Sequence, residues 1–91
     1  MKYKRIIQVP SKVVQSVFDL PCVDGYTKDS DLGMYVDLYK VFDKDFIPVH
    51  LAWPGDYLAE DESGRWICLT SEEGEQYLRD NNIVTLKSSN P

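Results

Sequence analysis

One histidine, two cysteines and no long apolar run leave this chain few of the residues from which metal centres, disulfide scaffolds and membrane spans are built. A lone His50 removes any histidine-pair metal site. Cys22 and Cys68 stand in neither a C-x-x-C nor a Cys/His spacing, so no zinc site or disulfide framework is encoded and no cofactor is expected. No stretch approaches the ~20 apolar residues of a bilayer span, and Met1 to Val13 lacks the apolar core of a signal peptide. The expectation is a cytoplasmic protein that makes no membrane contact. The G-x-x-x-x-G-K-[ST] loop, the G-x-G-x-x-G turn and the G-x-S-x-G elbow are all missing, so nucleotide hydrolysis, dinucleotide chemistry and hydrolase catalysis have no support. The one nucleophile and base that could meet, Cys22 and His50, come with no oxyanion hole or activating helix start. Both residues are assigned to structure or surface, and the chain is expected not to be an enzyme.

What is present is enough for one folded unit. With 91 residues, 43% of them hydrophobic and 27% charged, the chain fits a single domain over 1–91. Its charge of −5 is unevenly spread: residues 1–12 carry four cations and no acid, whereas residues 43–75 hold nine acids against Lys44 and Arg65, a local −7. A field of that sign repels phosphate backbones and attracts a basic protein surface, so direct nucleic-acid binding is not expected.

The pattern along the chain is mostly that of strands. Tyr3–Val9 reads as a strand closed by Pro10, and a short helix capped by Ser11 is expected to follow on Val13, Val14, Val17 and Phe18. Leu20–Gly33 concentrates turn formers, which predicts a mobile loop. Met34–Phe42 alternates, with Met34, Val36, Leu38 and Phe42 on one face and Tyr35, Asp37, Tyr39 and Val41 on the other. Asp43-Lys44-Asp45 turns it into a returning strand, Phe46–Ala52, with Pro48 pointing to an edge. Trp53-Pro54-Gly55-Asp56 has the proline and glycine of a type II turn, and Tyr57–Glu60 with Arg65–Leu69 forms a second hairpin around Gly64. Thr70-Ser71-Glu72-Glu73 is a capping box that starts a helix at Ser71. Ile83–Leu86 reads as a last strand, and 87–91 as a frayed tail. The expected fold is therefore α+β: a four- to five-stranded, strongly bent antiparallel sheet, closing in the limit into an SH3-like small barrel, with one or two short helices.

Two tryptophans, six tyrosines and three phenylalanines exceed what so small a core needs. Exposed aromatics beside acids describe a binding surface, and Tyr35, Tyr39, Trp53, Asp56, Tyr57, Glu60, Asp61 and Glu62 are the candidate partner-binding residues. Placing the acids together assumes that the two turns bring them to one end of the sheet.

Residues 49–82 run from an apolar strand through Pro54-Gly55-Asp56-Tyr57-Leu58, the turn at Gly64 and Trp66 to Glu72-Glu73, which open a helix carrying Tyr77. This third of the chain resembles small accessory proteins of phages and mobile elements. The resemblance implies such an origin, a bacterial host cytoplasm and a non-catalytic role, and it transfers no site residue. The expected function is that of an acidic interaction protein that occupies a basic, nucleic-acid-binding surface of a host protein, as anti-defence and anti-CRISPR inhibitors do. Pairing of two copies through an edge strand is open to it. The alternative is a small-ligand or nucleotide binder that uses Leu20–Gly33 as a cover.

Overall fold

The computed structural model describes residues 3–12, 14–29, 31 and 33–81. The strand expected at Ile83–Leu86 and the tail at 87–91 lie outside the described residues. The elements in chain order are β1 (Tyr3–Gln8), α1 (Gln15–Phe18), β2 (Val23–Asp29), β3 (Gly33–Phe42), β4 (Pro48–Ala52), β5 (Tyr57–Asp61), β6 (Trp66–Leu69) and α2 (Ser71–Asp80). The class is α+β, as the residue pattern predicts. Among the described residues the sheet has six strands rather than four or five, is mixed rather than wholly antiparallel, and does not close into a barrel.

Each difference has a local cause. The expected loop at 20–33 contains β2, paired antiparallel with β3 from Val23↔Leu38 to Asp29↔Gly33. Its Gly25, at φ +144°, sits where the register shifts between Val23 and Gly25, so a turn-forming residue serves a bulge inside a strand instead of ending one. Helix α1 is a single turn whose N-cap is Val14, with no side-chain cap, and Ser11 lies outside it.

In β3 the expected alternation holds for Met34, Val36 and Leu38, which are buried. It breaks at Lys40, whose backbone is left-handed at φ +57°, where the register to β4 also shifts. The break reverses the phase, so Val41, expected on the outer face, is 1% exposed. Val36 pairs with both Tyr26 and Ala52, and Val41 with both Trp66 and Val49. Strand β4 thus holds one edge of β3, while β2 and then β6 share the other.

The 53–56 turn reverses the chain as expected, with the Asp56 N–H donating to the Trp53 carbonyl at 3.0 Å and Gly55 at φ +99°. Strands β4 and β5 nevertheless part. Strand β5 pairs with β1 instead, from Tyr3↔Asp61 to Gln8↔Tyr57, and Val9 extends that ladder through bonds to Asp56 and Gly55. The return strand β6 then lands beside the end of β3 and runs parallel to it, Val41↔Trp66 and Phe42↔Ile67.

Alternation along β5 and β6 feeds two cores. Leu58 and Trp66 join Val9, Val17, Leu20, Val36 and Val41 on one face, where α1 packs. Tyr57, Ala59, Ile67 and Leu69 face the other way and are covered by Leu78 and Tyr77 of α2. The capping box forms in full: the Glu73 N–H donates to Thr70 Oγ1 at 3.1 Å, and the Thr70 N–H donates to Glu73 Oε1 at 3.0 Å.

Gly74 sets how close α2 comes. It is buried, and a Cβ there would overlap the Tyr57 ring. Alanine favours helix over glycine by about 1 kcal/mol, but overpacking a close contact costs about 1–3 kcal/mol. Gly74→Ala should therefore lower the urea midpoint of unfolding, and an alanine variant as stable as wild type would show that α2 can stand off the sheet without loss.

Candidate functional site

The four acids expected to cluster are divided by β5. Asp56 precedes the strand and Asp61 ends it, and five residues of extended chain span roughly 16 Å. Asp56 accepts the Trp53 N–H at 3.0 Å and so fixes the turn. Glu60 faces Arg5 at 3.3 Å and Lys4 at 3.9 Å, which offsets its charge. Asp61 accepts from the Ser63 hydroxyl and from the Ser63 and Arg65 N–H groups, and these bonds hold its carboxyl below the usual range. Glu62 is exposed. Three of the four carboxylates are therefore committed to the fold, as turn chemistry allows.

The aromatic candidates also divide. Tyr57 is only 5% exposed and lies beneath α2, so it cannot meet a partner directly. Tyr35 and Trp53 are half-buried and meet edge to face at 4.8 Å across β3 and the 53–56 turn. Tyr39 is exposed, with Lys40 Nζ 5.2 Å from its ring centre.

The acidic surface lies instead around α2 and the β3–β4 turn. One hollow of about 680 Å³ has Tyr3, Leu69 and Tyr77 among Glu72, Glu75 and Asp80. A second, of about 340 Å³, lies between β4 and β6, with Asp43, Asp45 and Asp56 around it. Leu69 and Glu73 line both, which makes the surface continuous. Among the described residues Lys44 and Arg79 are its only lining cations, and Lys44 is paired with Glu73 at 2.8 Å. The Lys44 bond, with the Thr70 N–H, holds the Glu73 carboxyl below its ordinary range.

Phe46 and Ile47 escape the sequence reading because both are expected inside a strand. They stand at the hairpin tip, 57% and 58% exposed, where Asp43 Oδ1 accepts the N–H groups of Asp45 and Ile47. Phe46 has φ +64°, a left-handed conformation that costs a bulky residue about 1–2 kcal/mol. Arg65 lies over its ring at 4.9 Å, a contact worth about 0.5–1 kcal/mol at an exposed site. The fold alone therefore gives little return for phenylalanine there. An aromatic where a three-to-five-residue hairpin loop usually places glycine is the signal that would have found it.

Burial pushes the Cys22 thiol up to about 11 and the Cys68 thiol up to about 12. Both are protonated at neutral pH. His50 is exposed on β4. Among the described residues there is no cluster of three or more His, Cys, Asp or Glu suited to a metal ion, and no helix is long and apolar enough to cross a membrane. The expected cover over a ligand is the paired strand β2. No protein-family model matches the chain, and no curated protein or solved structure is significantly similar to it.

Two measurements check this account. A thiol buried neutral stabilises the fold below its unfolded value near 9 and loses that contribution as pH rises through its folded value, so stability should fall between pH 9 and about 12. A disulfide reagent at pH 8 should label the native thiols more than about tenfold slower than the urea-unfolded ones, and equal rates would contradict the burial. At the hairpin tip, Phe46→Ala keeps the left-handed cost and loses the ring, whereas Phe46→Gly removes that cost. The glycine variant should be the more stable of the two by about 1 kcal/mol in urea, and the reverse order would contradict the strain.

Proposed function

We propose that the protein is a non-catalytic interaction protein that binds a basic protein surface through the acidic face of α2 and the β3–β4 turn. The observation that carries this reading is the continuity of the two hollows: Asp45, Glu72, Glu75 and Asp80 line one surface besides the paired Glu73 and the turn-capping Asp43 and Asp56, with Leu69, Tyr77 and Tyr3 among them as apolar contact. Carboxylates at this density steer a cationic partner and accelerate encounter, while the aromatic and aliphatic groups supply the contact that slows release. A surface that binds nucleic acid has the charge required, and occupying it would block the nucleic acid. Inhibition of a bacterial host protein in this way, by a product of a phage or mobile element, is the biological role that the sequence resemblance favours.

The test is a capture from bacterial lysate followed by rate measurements on the captured partner. Asp45→Lys/Glu72→Lys/Glu75→Lys changes three exposed positions, where a substitution usually moves stability by only about 0.5 kcal/mol. The wild type should retain a partner that DNA displaces. Its association rate should fall as salt rises, because the Debye length contracts from ~10 Å at 0.1 M to ~3 Å at 1 M, and the triple variant should lose the partner while keeping its circular dichroism spectrum. A partner held equally by the variant, or an on-rate indifferent to salt, would remove the acidic face from the mechanism.

A further inference from the structure

The opposite end of β6, where Trp66 opens the strand, carries a surface of the other sign. Trp66 belongs to the core on the α1 side of the sheet, whereas Leu69 belongs to the core under α2. Beside Trp66 lies a cleft of about 440 Å³ lined also by Phe42, Tyr39, Lys40 and Arg65. The exposed Phe46 ring extends it through its contact with the Arg65 guanidinium. Among the described residues Glu60 is the only carboxylate lining the cleft, and Lys4 and Arg5 already flank it. Among the described residues, neither Lys40 nor Arg65 is in an ion pair.

We infer that this cleft binds a short acidic peptide segment of a protein partner, with carboxylates on Arg65 and Lys40 and an apolar side chain against the exposed Phe46 ring. Charge complementarity selects the occupant. Two cations on aromatic faces, in a chain of net charge −5, form a local positive site within a negative field. A nucleic-acid strand would bring a row of phosphates into that field and be repelled along its length, whereas a peptide with one or two carboxylates meets it only at the cleft. Arg65, whose guanidinium carbon lies 4.9 Å over the Phe46 ring and which is in no ion pair among the described residues, has a fork suited to bidentate carboxylate binding. The unfavourable backbone at Phe46, for which the fold gives little return, is a second and independent indication that the ring serves contact. Strain of that kind marks recognition loops. The site shares none of the lining residues of the acidic face, so the two readings stand or fall separately.

The experiment is selection of a random peptide library on the full chain, followed by fluorescence anisotropy with the enriched peptides and, in parallel, a labelled oligothymidine. Peptides that combine Asp or Glu with Phe, Leu or Trp should be enriched. Their affinity should fall about thirtyfold or more in Phe46→Gly and Arg65→Glu, and stay within about twofold in the lysine triple variant of the acidic face. Phe46→Gly relieves the backbone, so a loss of binding there cannot be charged to unfolding, and Arg65→Lys, which keeps the charge without the fork, should fall between wild type and Arg65→Glu. Enrichment of basic peptides, absence of any enrichment, or enriched peptides that bind the Phe46 and Arg65 variants normally would overturn the proposal. Oligothymidine binding that both variants abolish would assign the cleft to single-stranded nucleic acid instead.

Discussion

Strands β5 and β6 are apolar on both faces, and the rest of the structure is arranged to cover them. Tyr57, Leu58, Ala59, Trp66, Ile67 and Leu69 are all buried, although they alternate in direction. A hairpin of this kind cannot lie at the surface of a two-layer fold; it needs material above and below. The first core is closed by β3, β4 and α1, elements that come before the hairpin in the chain. The second is closed by α2, which follows β6 after only Thr70. So short a connection fixes where the helix begins, and the capping box and the glycine contact with Tyr57 fix its entry and its height.

That arrangement also decides where charge can go. Both faces of the hairpin are occupied by core, so acids from 43–75 are left to the rim of α2, to the β3–β4 turn and to the caps of tight turns. Where a cap is needed, a carboxylate is consumed: Asp43, Asp56 and Asp61 each accept backbone N–H groups. The cations at 4 and 5 lie on β1 opposite Glu60, because β1 pairs with β5 and not with β2. A chain that is acidic in sum therefore presents one acidic face and one local cationic cleft at opposite ends of the same strand.

Local chemistry was legible from the residues, and long-range pairing was not. The capping box at Thr70, the turn at Pro54-Gly55 and the turn at Gly64 follow from side-chain hydrogen bonding and φ preferences, which act over a few residues. The pairing of β5 with β1 depends on two segments about fifty residues apart, and nothing in Tyr57–Asp61 alone distinguishes β1 from β4 as its neighbour. β2 was hidden because Asp24, Gly25 and Lys28 are poor strand formers, and pairing with the long, buried β3 overrides that preference. The candidate site suffered most: whether a carboxylate is free to meet a partner depends on what it already bonds, and whether an aromatic is exposed depends on register. Tyr57 and Phe46 changed places for that reason, the first going under α2 and the second coming out to the hairpin tip.

The left-handed residue at Lys40 divides β3 into two halves of opposite phase, with Leu38 inward before it and Val41 inward after it. Nearly any side chain could occupy that position at a modest cost, because Lys40 itself points to solvent. Losing the residue altogether is a different event. Deleting one codon there would put Val41 two residues after Leu38, so that strict alternation keeps both inward, and would remove part of the register shift against β4 between Asp37 and Val41. The bulge is thus one residue added to a strand whose inward positions alternate without it, so what the added residue supplies is the change of register against β4, and the burial of Val41 does not depend on it.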